Sequence, residues 1–263
     1  MRVVPLASGS RGNATLVEFG RGGLFGPTRL LVDAGLSARE LERRLEGLGV
    51  PPASIDAVLL SHEHDDHARG IERFSRRHRV PVLCTRATLD ALDRSPSHFD
   101  RWHRLQPGSP LDVGGVVVEP FSVPHDAADP LGFVLSAGGV RFGIATDLGH
   151  ATPLVVERLR GCDVLMIESN HDDRLLQTGC YPWQLKQRVA GRLGHLSNHE
   201  AAALIGEVAG GGCRFVVLAH LSEHNNTREL AQRCAAGIVR RLPGPRPRLR
   251  VAATAAPSDP LCL

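Results

Sequence analysis

Ser61-His62-Glu63-His64-Asp65-Asp66-His67 is the stretch on which the reading of this chain turns. It follows an apolar run at residues 55–60 that suits a buried strand, and precedes a segment from about Ala68 that suits a helix. Imidazoles and carboxylates packed this closely are costly to bury without a partner. Left exposed, they would crowd together to no structural purpose. A divalent cation resolves both problems, because neutral imidazole and carboxylate suit Zn²⁺ and related metals. In extended backbone alternate side chains share a face, so His62 and His64 reach one ion together. A turn then lets Asp66 and His67 reach a second ion close by.

One segment cannot complete two coordination shells, so further ligands are expected from strand ends elsewhere. His125 follows the strand-like Val116–Phe121 run, Asp147 ends another in Ala145-Thr-Asp147-Leu-Gly149, and His220 ends a third in Val217-Leu-Ala-His220. Each alone is a weak signal. Together they supply three ligands from three strands, as a site at a sheet rim requires.

The remainder of the chain sets bounds. Its 263 residues are 42% hydrophobic, enough for a buried core and against disorder. No apolar run approaches the ~20 residues of a membrane helix, and the N-terminus lacks the apolar core of a secretory signal, so a cytoplasmic protein with no membrane attachment is expected. The net charge of +3 names no partner. Lys186 is the sole lysine among 31 basic residues; the rest are arginine, which suits phosphate or reflects a bias of composition. Six cysteines without a C-x-x-C pair fit a reduced protein with no disulfide framework.

Strands are expected at residues 2–7, 14–19, 29–33, 55–60, 80–84, 163–168, 214–219 and 248–253, with Gly-rich turns between the first three. Several more fall in residues 111–146, joined by hairpins that include a Gly138-Gly139 turn. Helices are expected at residues 37–48, 154–160, 182–192, 199–208 and 227–241, the first with Ser37 as N-cap and Glu40 closing a capping box. The run ending in Asp33 resembles the run ending in Asp147, and residues 55–62 resemble 162–168. This suggests a duplicated strand-rich unit whose halves pack sheet to sheet with helices outside.

The motif, with His125, Asp147 and His220 in that order, matches H-x-H-x-D-H of the metallo-β-lactamase-fold hydrolases, and the resemblance spans essentially the whole chain. Within them the chain resembles the YycJ/WalJ group of exonuclease-like hydrolases through Leu6-Ala-Ser-Gly-Ser-Arg-Gly-Asn13, Glu168-Ser-Asn-His-Asp172, Gly194-His-Leu-Ser-Asn198 and Ala219-His-Leu-Ser-Glu-His-Asn-Asn226. The resemblance implies an α/β, four-layer αββα sandwich forming one domain over residues 1–263. It implies two divalent metal ions (Zn or Mn, with Fe possible), one held by His62, His64 and His125 and the other by Asp66, His67 and His220, with Asp147 bridging. Asp65 stands at the variable position and is not counted as a ligand. Asp33 is expected behind a ligand histidine, and Glu168 behind His195.

The chemistry so implied is phosphodiester hydrolysis by a hydroxide bridging the two ions, with Asp66 and His195 as catalytic residues and His195 as general acid. Gly194 is expected to lend backbone freedom there, and Ser197 with Glu200 to cap the next helix; alternatively His195 is a packed turn residue. The loop Ser8-Gly-Ser-Arg-Gly-Asn13 offers Ser8, Ser10 and Asn13 as a phosphate cradle, or is simply a tight turn. Asn170, His171, Lys186 and Arg188 are expected at a rim that grips a nucleic-acid backbone, and His224 near it. Tyr181 and Trp183 either stack on a base or anchor a loop. His78, His98, His103, His150 and His199 are read as surface or capping residues. The expected substrate is nucleic acid, DNA rather than RNA, since the long insertion of β-CASP nucleases and the arm of tRNase Z are missing; no protein partner is expected. The alternative is a small-molecule hydrolase of the same fold acting on a cyclic phosphodiester, thioester or lactone.

Overall fold

The computed structural model describes residues 1–20 and 26–263, so the Gly-rich turn expected between the second and third strands lies largely outside the described residues. The first half of the chain contributes β1 (Arg2–Ala7), β2 (Ala14–Phe19), β3 (Thr28–Val32), β4 (Ala57–Leu59), β5 (Val82–Cys84) and β6 (Trp102–Arg104). The second contributes β7 (Leu111–Val113), β8 (Val116–Ser122), β9 (Leu131–Ala137), β10 (Val140–Ala145), β11 (Val164–Glu168), β12 (Phe215–Ala219) and β13 (Arg248–Val251), and a short β14 (Leu261–Cys262) returns to the edge of β1. The helices are α1 (Ala38–Gly47), α2 (Asp65–Ala68), α3 (Ile71–His78), α4 (Arg86–Ala91), α5 (Pro153–Leu159), α6 (Asp173–Thr178), α7 (Trp183–Val189), α8 (Asn198–Val208) and α9 (Arg228–Val239).

The two sheets repeat one topology. In the first, β1, β2 and β3 run antiparallel, and β4, β5 and β6 then add in parallel. In the second, β7 to β10 form the antiparallel meander and β11, β12 and β13 add in parallel. The two runs read as similar in sequence, ending in Asp33 and Asp147, are the equivalent strands β3 and β10.

Alternation along each strand distributes side chains to two cores. Leu30, Val32, Ala57 and Leu59 meet Phe133, Phe142, Val164 and Val217 between the sheets. Leu31, Val58 and Leu60 face outward onto Leu41, Leu45 and Phe74 of α1 and α3. On the other side Leu165, Ile167 and Leu218 pack on α5, α8 and α9. The result is the expected αββα order, and it explains why the central strands are apolar throughout: both faces are covered.

Several local expectations change. Helix begins at Asp65 rather than Ala68 and is interrupted at Gly70, where a Cβ would lie 2.2 Å from the Leu36 carbonyl. Ser37 caps α1, but the Glu40 carboxylate turns to Arg43 and Arg44 and does not close a capping box. The helix expected over residues 182–192 ends at Val189. The Gly138-Gly139 turn forms as expected, with φ of 58° and 76°.

Candidate metal centre

The site gathers at the carboxyl ends of the parallel strands, where the chain leaves each sheet. Three of its residues close a strand in the left-handed region: Asp33 after β3 (φ 62°), Asp147 after β10 (φ 56°) and His220 after β12 (φ 54°). Side chains other than glycine pay of order 1 kcal/mol or more for this conformation. Here it folds each side chain back over its strand end. Gly35 lets α2 come close, since a Cβ there would lie 1.6 Å from the Asp66 carbonyl.

His62, His64 and His125 form one group. His62 Nε2 and His125 Nε2 lie 3.1 and 3.3 Å from His64 Nδ1. His125 Nδ1 donates to the Gly194 carbonyl at 3.1 Å, which leaves its Nε2 lone pair facing the other two rings. Asp66, His67 and His220 form the second. Asp66 Oδ2 stands 3.5 Å from His67 Nε2 and 3.4 Å from His220 Nε2. Behind them, His67 Nδ1 donates to Asp33 Oδ2 and His220 Nδ1 to Glu168 Oε1, both at 2.8 Å. Asp147 lies between the groups, with Oδ2 3.0 Å from His67 Nε2 and Oδ1 3.8 Å from His125 Nε2.

Two observations test whether a cation fits. Donor atoms about 2.1 Å from a tetrahedral ion stand ~3.4 Å apart, and the four spacings just given are 3.1 to 3.5 Å, with all donors of each group within 4.8 Å of one another. Asp147 Oδ2 is buried without a hydrogen-bond partner, its 3.0 Å approach to His67 lacking hydrogen-bond geometry. Lone pairs aimed at one another and an orphaned carboxylate oxygen are what a divalent ion would satisfy, and the donor set fits divalent metal.

The electrostatics agree. Burial alone would push His67 and His220 down, yet the surrounding carboxylates, Asp147 foremost, hold both well above the ordinary imidazole value. His62, buried beside other imidazoles, is pushed well below it. Burial would raise Glu168, but the imidazoles of His195 and His220 bring it down to about 2. Positive charge is therefore favoured at the second group, beside Asp147, and disfavoured among the imidazoles of the first.

His195 joins the site through Glu168: its Nδ1 donates to the same Oε1 at 2.8 Å. Oε2 of that carboxylate accepts from the backbone N–H of Leu148 and Leu196 at 2.8 and 3.2 Å. Ser197 and Glu200 form the reciprocal capping box of α8 immediately after. Gly194 is required for space, not for backbone freedom: a Cβ would lie 2.2 Å from the carbonyls of Arg188 and Val189.

A cleft of ≈ 220 Å³ opens over these groups, walled by Tyr181, Leu185, Arg188 and Val189 along one face of α7 and its approach. Of the expected substrate contacts, Ser10, Asn170 and Arg188 line it. The others do not. Ser8 is buried, and its Oγ accepts from the His220 N–H at 2.8 Å, tying the first sheet's turn to the second sheet's site. Asn13 is buried with Nδ2 2.9 Å from His67 Nε2 and 3.2 Å from Asp66 Oδ2, so the loop sets an amide against the very atoms that would face a cation. His171 is buried by its bridge to Ser197, not at a rim. Lys186 turns away to the Gln177 carbonyl at 2.8 Å. Tyr181 faces the cleft with His224 against its ring, at 5.7 Å between centroids, whereas Trp183 is 67% exposed. Sequence reasoning missed Asp126, whose Oδ1 is 3.3 Å from His125 Nε2 and whose Oδ2 is 2.5 Å from Arg188 Nε. Its adjacency to His125 was the available signal.

Residues 28–221 match the model of the β-lactamase superfamily domain. The chain is 33% identical over 230 residues to exodeoxyribonuclease WalJ of Streptococcus pneumoniae, a match covering 86% of this chain and 83% of that one. It is 32% identical over 229 residues to exodeoxyribonuclease YycJ of Bacillus anthracis, covering 86% and 84%. The crystal structure of the metallo-β-lactamase fold protein YhfI from Bacillus subtilis superposes with a TM-score of 0.73 at 19% identity, covering 98% of this chain and 99% of that one. That last likeness speaks for the fold, and the sequence matches for the lineage: this chain belongs to the metallo-β-lactamase-fold superfamily, with the WalJ and YycJ proteins among its relatives.

Proposed function

We propose that this protein is a metal-dependent phosphodiesterase that degrades DNA as an exonuclease, acting as one unit over residues 1–263 in the cytoplasm. His62, His64 and His125 would hold one divalent ion, and Asp66, His67 and His220 a second, with Asp147 shared between them. Zn²⁺ and Mn²⁺ are the ions best suited to this mixture of imidazole and carboxylate. When bound, such a pair supplies Lewis acidity, lowering the pKa of water and offsetting negative charge on a phosphoryl group.

The observation that carries the proposal is the shared carboxylate of Glu168. It holds His220 of the second ligand set and also His195, which stands outside both proposed sets although Asp147, Glu168, His195 and His220 also lie close enough together to hold a cation. His195 lines the cleft, and burial would lower its pKa but Glu168 raises it, so it keeps a proton to donate. That is the property needed to protonate the leaving sugar oxygen of a phosphodiester. Arg188, beside it at the mouth, presents a planar guanidinium suited to a phosphate oxygen. The two sequence relatives named as exodeoxyribonucleases support DNA as the substrate. None of the helices among the described residues is long and apolar enough to cross a membrane.

The test adds each metal back to chelated protein and follows bis-p-nitrophenyl phosphate and 5′- and 3′-labelled duplexes. Progressive release from one labelled end is expected. His195→Ala should retain metal and lose about 10²-fold or more on DNA, with a smaller loss on the nitrophenyl ester, whose leaving group needs no proton. Equal activity of His195→Ala on DNA would remove the acid assignment. Hydrolysis of a lactone or thioester with both diesters untouched would overturn the proposal.

A further inference from the structure

A second feature at the same end of the sandwich has no part in the cleft. A groove of ≈ 680 Å³ runs between the start of α1 and the exposed side of α3, lined by Arg39, Glu72, Arg73, Arg76 and Arg77. Its position follows from the metal centre. Ala34 N donates to the His67 carbonyl and Gly70 N to the Ala34 carbonyl, each at 2.8 Å, which fixes the starts of α1 and α3 beside α2. Arg11 and Arg69 bridge the interval to the cleft. Arg11 follows Ser10 of the cleft wall, and Arg69 Nη1 donates to the Arg11 carbonyl at 3.0 Å.

The charges along this path are unevenly compensated. Arg11 is paired with Glu223 at 2.7 Å, Arg69 with Asp65 at 2.6 Å and Arg77 with Glu42 at 3.2 Å. Arg76 stands 3.8 Å from Glu72, which lies closer, at 3.0 Å, to Arg94. Arg39 and Arg73 are exposed and have no carboxylate within 4.0 Å among the described residues. Two uncompensated guanidiniums facing one groove repel each other unless an anion enters. With Arg11 and Arg69 between the groove and the cleft wall, the cationic groups form a row rather than one point, which suits a regularly charged polymer better than a single small anion. Arg73 lies on the first turn of α3, directly after Arg69 and Gly70 that follow α2.

We propose that this arginine groove is a second DNA subsite, which binds backbone phosphates of the strand beyond the bond being cleaved. The proposal rests on reading the cleft as a DNA phosphodiesterase site and adds a path for the strand beyond it. Its recognition is electrostatic and independent of base sequence.

The test compares wild type with Arg39→Ala/Arg73→Ala and Arg39→Glu/Arg73→Glu. Binding of a fluorescent 20-base-pair duplex is followed by anisotropy in chelator from 50 to 200 mM salt, and bis-p-nitrophenyl phosphate turnover is followed with metal. Loss of two phosphate contacts should make the slope of log affinity against log salt shallower by about 1.8 and weaken binding at 50 mM salt by ~10-fold or more. Turnover of the small diester, too short to reach the groove, should stay within about twofold, which also shows that the fold survives. An unchanged slope and affinity in both variants would overturn the subsite. Wild type that cleaves neither diester, yet loses duplex affinity on these substitutions, would refute the cleft reading alone and still support the groove as a DNA-binding surface.

Discussion

Glu168→Gln is the substitution that discriminates most sharply between a metal-dependent acid–base site and a merely polar cluster. The carboxylate receives four donors: His195 Nδ1 and His220 Nδ1 on Oε1, and the N–H groups of Leu148 and Leu196 on Oε2. An amide has one accepting end. Whichever way glutamine sits, its NH₂ confronts two donors that cannot rotate away. Each lost hydrogen bond to a charged group is worth about 1.5–3 kcal/mol. The amide also removes the negative charge that keeps a proton on His195. Two consequences should separate. Loosening of His220 should weaken metal affinity about 10- to 100-fold, a loss that excess metal repairs. Loss of the acid should cost a further ~10²-fold in DNA cleavage, which excess metal does not repair. The assay is a metal titration of turnover on labelled duplex, with metal content by elemental analysis and melting temperature as the fold control. If the variant takes up metal like wild type and cleaves DNA within threefold of it, Glu168 does not organise the site and the acid–base argument fails.

Three further outcomes are expected. Asp33→Asn keeps a side chain that tolerates φ of 62° but sets an amide against either His67 Nδ1–H or Ser61 N–H, so metal affinity by titration calorimetry should fall about 10- to 100-fold and the melting temperature by a few degrees; an unchanged affinity contradicts the orienting role. Gly35→Ala forces a methyl onto the Asp66 carbonyl and should cost about 1–3 kcal/mol or more, lowering the melting temperature by at least several degrees; a wild-type melting curve would show that α2 can move aside. The surrounding carboxylates hold His67 and His220 well above the ordinary imidazole value, so protons compete with metal at both. Metal must displace those protons, so its apparent affinity should rise with pH above 6.5, and calorimetry in buffers of different ionisation enthalpy should register proton release near pH 7; a flat affinity between pH 6 and 8 contradicts this.

The motif at residues 61–67 was legible because its chemistry is contiguous. Alternation in extended backbone already pairs His62 with His64, and a turn separates Asp66 and His67 from them. The sandwich was legible too, since strands apolar on both faces need cover on both, and the similar runs ending in Asp33 and Asp147 emerged as equivalent strands. The rim residues were less legible, for a physical reason. A polar side chain in a loop reads as solvated whether or not another backbone covers it. His171 is covered because residues 195–197 lie alongside it, a contact between segments that share no pattern. Lys186 sits on α7 like Arg188, but two positions round the helix, which turns it from the cleft to the Gln177 carbonyl.

Glu168 shows what register adds to a motif. It ends β11, which is flanked by β10 on one side and β12 on the other. Parallel pairing sets Glu168 opposite Ala219, so the next residue, His220, leaves its strand directly beside the carboxylate. The left-handed turn at His220 folds the imidazole back onto it, and the matching turn at Asp147 brings the Leu148 N–H to it from the opposite side. Neither turn is glycine, although glycine would adopt the conformation without strain. The strain is tolerated because the side chains it aims are the ones that converge. A single strand end thus links His220 of the second candidate ligand group, the cleft-facing His195 and the loop after Asp147. The coupling follows: a change at Glu168 should disturb metal affinity and proton transfer together, while a change at Asp33, which holds His67 and the Ser61 N–H but not His195, should disturb metal affinity and leave the acid in place.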